Sequence, residues 1–123
     1  MTLRQEGIEW LAREVGATTD PVHVSKMYRA DESWNRWPVW WFEFSGKVLE
    51  DPDVPCIHLL CQTNEDAGRF VHVRVPNSWL REHKGDLCVR AGGKVSLYLS
   101  AEDDTLYREV RGAGQLDFSG FAK

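Results

Sequence analysis

The chain predicts an α+β domain with a mostly antiparallel sheet of about six or seven strands. Three features carry that expectation. Residues 37–48 pack three of the six tryptophans and two of the five phenylalanines into one alternating stretch. Two further pairs of alternating segments, 56–61 with 70–75 and 86–90 with 94–100, read as hairpins. Helical periodicity is confined to the N-terminus and to a short run near residues 77–84. Consecutive hairpins make antiparallel pairing the default, and parallel βαβ crossovers find little room between them.

Leu3, Ile8, Leu11, Ala12 and Val15 recur near helical spacing and predict a helix over 3–15 that packs on the core face of the sheet. Thr2 with Gln5 three residues later makes a capping box, and Gly16 stands at the C′ position. Gly7 costs this helix about 1 kcal/mol relative to Ala. Trp10, beside the apolar stripe, is placed to anchor it. Residues 22–28 alternate weakly, as an edge strand does, and the polar segment 29–36 around Trp34 reads as a loop folding back over the sheet. In the aromatic stretch Trp40, Phe42, Phe44 and Val48 share one face, and Trp41, Glu43, Ser45 and Lys47 share the other. Pro38 opens the strand, and Gly46 marks a bulge. Trp34, Trp37 and Trp41 are hard to bury together in one core.

In the first hairpin Ile57, Leu59 and Cys61 face Val71, Val73 and Val75. A five-residue loop, Thr63 to Ala67, sets Ile57 opposite Val73 and His58 directly opposite His72. A slip by two residues would instead pair His58 with Phe70 or Arg74. Asn77 or Ser78 is the expected N-cap of the short helix and Gly85 its stop. The three-residue loop Ala91-Gly92-Gly93 sets Leu87 against Leu97 and Val89 against Val95. Residues 106–111 form a last strand. Leu116, Phe118 and Phe121 dock the glycine-rich tail.

The whole length, 123 residues, fits one domain spanning 1–123 with a core that needs no staples. A formal net charge of -4 disfavours a dedicated nucleic-acid binder. A strip of Lys47, Arg74, Arg90, Lys94 and Arg108 with Trp41 and Tyr98 is the most such a reading could use. No apolar run approaches the ~20 residues of a membrane span, and the first residues carry no signal-peptide pattern. Three cysteines without C-x-x-C spacing read as free thiols in a reducing, cytoplasmic compartment. His23 and His83 fall on polar segments and read as surface residues.

Alternation leaves Trp41, Glu43, Lys47, Cys56, His58, Phe70, His72, Arg74, Ser96 and Tyr98 off the core face. A solvated sheet surface is the plain reading. The aromatics and convergent polar groups point beyond it, to a binding or interaction domain engaging a protein partner, a second copy or a small ligand. Trp41, Lys47, Arg74 and Tyr98 are its binding residues. The alternative is a small hydrolase or nuclease-like enzyme, with Glu43, His58 and His72 as acid/base groups. No nucleophile motif accompanies them, and Glu43 with Lys47 lacks the compact E-x-K spacing of a nuclease. His58 and His72, with Cys56 or Glu43 near, are also the candidate metal ligands. Their spacing is not diagnostic, so no metal or cofactor is assigned. Both functional readings assume that the strands carrying these residues are neighbours on one side of one sheet.

Overall fold

The computed structural model describes residues 2–29, 38–64, 68–112 and 114–122. Trp34, Trp37 and the loop expected over them lie outside these residues, as does the tip of the first hairpin. The order of elements is α1 (Leu3–Glu14), β1 (Val22–Ser25), β2 (Met27–Tyr28), β3 (Val39–Ser45), β4 (Cys56–Asn64), β5 (Arg69–Pro76), α2 (Asn77–Glu82), β6 (Cys88–Val89) and β7 (Lys94–Ser100). The fold is α+β and mostly antiparallel, with seven strands among the described residues. They form two sheets, β1-β4-β5 and β2-β3-β7-β6. None of the described helices is long and apolar enough to cross a membrane.

Each sheet contributes one face to a shared core. Trp40, Phe42 and Phe44 of β3 and Val95, Leu97 and Leu99 of β7 meet Ile57, Leu59 and Cys61 of β4 and Val73 and Val75 of β5. Leu49, Leu80, Leu87 and Phe118 complete it. The extended run 22–28 serves both sheets, switching from one to the other at Lys26. Ser25 secures that switch: its hydroxyl donates to the Lys26 carbonyl (2.7 Å) and accepts from the Trp41 amide (2.9 Å). One pairing departs from the antiparallel expectation. β1 runs parallel to β4, with Val22 beside His58 and Ser25 beside Cys61. The connection between them passes through β2 and β3 of the second sheet.

The capping box on α1 is formed, with the Thr2 hydroxyl accepting from the Gln5 amide (3.2 Å) and the Gln5 side chain accepting from the Thr2 amide (3.0 Å). The helix packs on the outer face of the first sheet, not on the core face. The second sheet already fills the core face, and Leu60 and Phe70 point outward and need cover. Leu11, with Leu3, Ile8 and Trp10, supplies it, and the Trp10 and Phe70 rings lie 5.7 Å apart. Gly7 is the point of closest approach: a Cβ there would stand 2.6 Å from Val24 Cγ2.

The first hairpin takes the slipped register, with Ile57 opposite Val75 and His58 opposite Arg74. Both strands run further toward the turn than expected, and a bulge falls between Gln62 and Asn64. A shift of two preserves the core faces, so apolar matching alone cannot distinguish the two registers. In the second hairpin Val89 does oppose Val95. Trp40 is buried with its indole N–H donating to the Gln62 carbonyl (2.9 Å). The expected strand over 106–111 is reduced to isolated bridges, Leu99 with Glu109 and Arg108 with Asp117. Tyr107 sits at φ 63, which breaks the extended run. Glu109 holds this segment in place. Its buried carboxylate accepts from the amides of Tyr98 (2.7 Å), Arg111 (3.0 Å) and Gly112. Burial pushes its pKa up against the pull of those donors. The tail docks as expected, with Phe118 fully buried and edge-on to Trp79.

Three local expectations change. Gly46 opens a 3-10 turn over Gly46–Glu50, its amide donating to Gly93 O (2.9 Å), so Lys47 leaves the strand and is exposed. Asn77 does not cap α2; its amide clamps the preceding loop by donating to the Val48 (2.8 Å) and Val54 (3.0 Å) carbonyls, and the helix ends at Glu82. His23 is no surface residue: β1 aligns it with Leu59, and its ring stacks on Phe44 at 5.2 Å.

Candidate functional site

The polar residues expected to share one face occupy the outer faces of two different sheets, on opposite sides of the common core. His58, His72, Arg74 and Cys56 belong to the first sheet, and Trp41, Glu43, Ser96 and Tyr98 to the second.

On the first sheet, the slipped register sets His58 and His72 diagonally across β4 and β5. Their rings stack 5.0 Å apart, and His58 Nδ1 lies 2.8 Å from His72 Nε2. Cys56, two residues before His58 on the same face, has its Sγ 3.6 Å from His58 Nε2. Arg74 reaches across from β5, its Nε donating to that sulphur at 3.4 Å. The fifth participant is Asp20, from the loop before β1. Its Oδ2 stands 3.4 Å from Cys56 Sγ and 3.8 Å from His58 Nε2. The loop is pinned by the His58 amide donating to Pro21 O (2.9 Å), and Asp20 is oriented by Thr18, whose hydroxyl donates to Oδ2 (3.3 Å) and accepts from the Asp20 amide (3.0 Å). Cys56, His58 and His72 are buried, while Asp20 keeps 23% of its side chain in solvent. Asp20 borders a groove of about 350 Å³ under the α1–β1 loop, together with Arg4, Ile8 and Thr19.

On the second sheet, Trp41 and Tyr98 are cross-strand partners with stacked rings 5.9 Å apart. Tyr28 meets Trp41 edge-on at 6.3 Å. The Trp41 indole N–H donates to Ser96 Oγ (2.9 Å). Lys26 lies over Tyr28 at 4.8 Å, and Arg111 lies over Tyr98 at 5.4 Å. Glu43 pairs with Arg90 (2.9 Å) and Lys94 (3.7 Å). Tyr28, Trp41 and Tyr98 are half-buried, whereas Val39, Ser96 and Ser100 on the same face are buried. The result is an aromatic shelf with a cationic rim.

Of the expected binding residues, Trp41 and Tyr98 therefore stand together. Lys47 is in the adjoining turn, and Arg74 is on the other sheet. Of the expected acid/base group, His58 and His72 touch, but Glu43 is engaged with two cations on the far side of the core. Asp20 and Cys56 stand where Glu43 was expected. Alternation gives no place to Asp20, because its position depends on the parallel pairing of β1 with β4. Alternation missed Tyr28 and Arg111 for a similar reason, since one lies on a two-residue edge strand and the other on irregular chain. No protein-family model, no curated protein and no solved structure matches this chain.

Proposed function

We propose that this chain is a binding domain that engages an acidic partner protein through the Tyr28–Trp41–Tyr98 shelf of its second sheet. The observation that carries this reading is the shelf's composition. Three half-buried rings, with Trp41 touching both Tyr28 and Tyr98, are rimmed by Lys26, Arg90, Lys94 and Arg111 against Glu43 and the buried Glu109. The chain as a whole carries a formal charge of -4, so this positive patch runs against the overall balance. Aromatic and arginine side chains are what binding hot spots favour, and cations seated over rings hold their charge at the surface. The fully buried Cys61 and the buried Cys56 suit a reducing, cytoplasmic compartment.

Retention on immobilised glutamate-rich and lysine-rich peptides tests the reading. The wild-type protein is expected to bind the acidic peptide and to release it as salt rises. Tyr98→Ala with Arg111→Glu is expected to lower that affinity at least tenfold. Equal retention on both peptides, or binding indifferent to the substitutions, would end it. Concentration-dependent sedimentation abolished by the same pair would assign the shelf to a second copy of the chain instead.

A further inference from the structure

We propose that Asp20, Cys56 and His58 bind one zinc ion, with His72 positioning His58 and a fourth coordination position left for solvent. The site is separate from the aromatic shelf and stands or falls without it.

The three donor atoms are already spaced as metal ligands are. Cys56 Sγ, His58 Nε2 and Asp20 Oδ2 form a triangle with sides of 3.4, 3.6 and 3.8 Å. A tetrahedral zinc ion holds sulphur at about 2.3 Å and nitrogen or oxygen at about 2.0–2.2 Å. Those lengths place pairs of ligand atoms about 3.3–3.6 Å apart. The three donors thus already stand within a few tenths of an ångström of the edges of such a polyhedron. The triangle's longest side, nitrogen to oxygen, is the one an ion between them would shorten.

One of the two tautomers of the histidine pair leaves the donors open to an ion. When His58 Nδ1 carries the proton it donates to His72 Nε2, and His58 Nε2 presents a lone pair to the cysteine and the carboxylate. The thiol proton can serve only one of Nε2 and Oδ2. A divalent cation satisfies nitrogen, oxygen and thiolate together. A ligating histidine whose other ring nitrogen is held by a partner is the usual arrangement around a metal. Arg74 completes it: its Nε–H points at the sulphur from the side of β5, as a hydrogen bond to a metal-bound thiolate would.

The donor set selects the metal. Thiolate, imidazole and carboxylate together suit a borderline ion such as Zn²⁺ and argue against Mg²⁺ or Ca²⁺, which take oxygen ligands. Access is through Asp20, the one partly exposed ligand, from the groove beside Thr18 and Thr19. Three protein ligands with one open position is the pattern of zinc sites that act on a bound water or ligand, not of closed structural sites.

Cobalt(II) titration of the chelator-treated, desalted protein tests this, followed by competition with zinc. One equivalent of Co²⁺ is expected to give a thiolate-to-cobalt charge-transfer band with the strong d–d absorption of a tetrahedral ion, and zinc is expected to bleach both. Cys56→Ser is expected to abolish the charge-transfer band, while Cys61→Ser and Cys88→Ser retain it. His72→Gln is expected to weaken binding by about 10–100-fold without removing the band, as loss of a supporting partner does. If Cys56→Ser fails to fold, Asp20→Asn decides: with circular dichroism unchanged, it must weaken Co²⁺ binding more than tenfold. Absence of the band in the wild type, its survival in Cys56→Ser, or unchanged affinity in Asp20→Asn would overturn the proposal.

Discussion

Gly7→Ala sets helix propensity against packing, and the structure decides the sign. In an isolated helix the substitution stabilises by about 1 kcal/mol. Here Gly7 is buried against β1, and the added Cβ would meet Val24 Cγ2 at 2.6 Å, Val24 Cγ1 at 3.0 Å and Leu60 Cδ1 at 3.2 Å. Carbon atoms in comfortable contact stand about 3.5–4.0 Å apart. Both methyls of a stiff β-branched residue obstruct the new atom, so no rotamer of Val24 clears it. α1 must therefore lift from the sheet by roughly 1 Å, loosening Leu11 and Trp10 from Leu60 and Phe70. Overpacking of this kind costs about 1–3 kcal/mol. The packing cost matches or exceeds the propensity gain, and net destabilisation of up to about 2 kcal/mol is expected. Urea titration of the wild type, Gly7→Ala, Val24→Ala and the double variant measures it. The double variant is expected to be more stable than the two single effects sum to, because Val24→Ala makes room for the new methyl. Glu9→Ala, on the exposed side of α1, is expected to change stability by no more than about 0.5 kcal/mol. A Gly7→Ala protein more stable than the wild type would refute the close packing of α1 on the first sheet, and with it the placing of the helix on the outer face.

Two further outcomes follow from buried polar groups. Glu109→Ala leaves the amides of Tyr98, Arg111 and Gly112 without their acceptor. At about 1–3 kcal/mol for each unpaired donor, it is expected to cost about 3 kcal/mol or more, and Glu109→Gln less, because its one oxygen can keep the two donors of Arg111 and Gly112; urea midpoints check both. His23 has its Nε2 buried with no hydrogen-bond partner among the described residues, and its pKa is lowered by burial and by the nearby Arg4. A lowered folded-state pKa means that the unfolded chain takes up the proton first, so stability is present above about pH 6.5 and is lost as pH falls toward the folded value. His23→Leu is expected to flatten the acid side of the stability curve by no more than about 1.4 kcal/mol per pH unit, the limit for one proton. An unchanged slope in denaturation midpoints from pH 7.5 to 5 would contradict that burial.

The legible parts of this fold are those set by local periodicity. The capping box of Thr2 and Gln5, the core faces of β3, β4, β5 and β7, and the pairing of Val89 with Val95 all follow from alternation and turn length. The docking of Phe118 follows from an apolar residue in a polar tail. What alternation cannot give is which sheet a strand joins. A strand's second face reads the same whether it borders one sheet or another, so Trp41 and His58 looked like neighbours when the core lies between them. A register shift of two residues keeps the same residues of the first hairpin on the core face, which is why His58 opposite Arg74 could not be told from His58 opposite His72. The shift still leaves the two histidines touching, diagonally. Asp20 joined them through a parallel pairing thirty-odd residues away, for which no local signal exists. Tyr107 at positive φ likewise interrupted an apparently regular strand.

The indole N–H region of a nitrogen-correlated NMR spectrum tests the proposed binding face most directly. Trp10 and Trp79 report on the α1 contact and on the tail, and Trp41 reports on the shelf. On titration with a glutamate-rich peptide, the Trp41 indole and the Tyr98 amide are expected to shift together while Trp10 and Trp79 stay in place. Movement of Trp10 or Trp79 with Trp41 unmoved, or no movement at all, would contradict the assignment of the second sheet's outer face to binding.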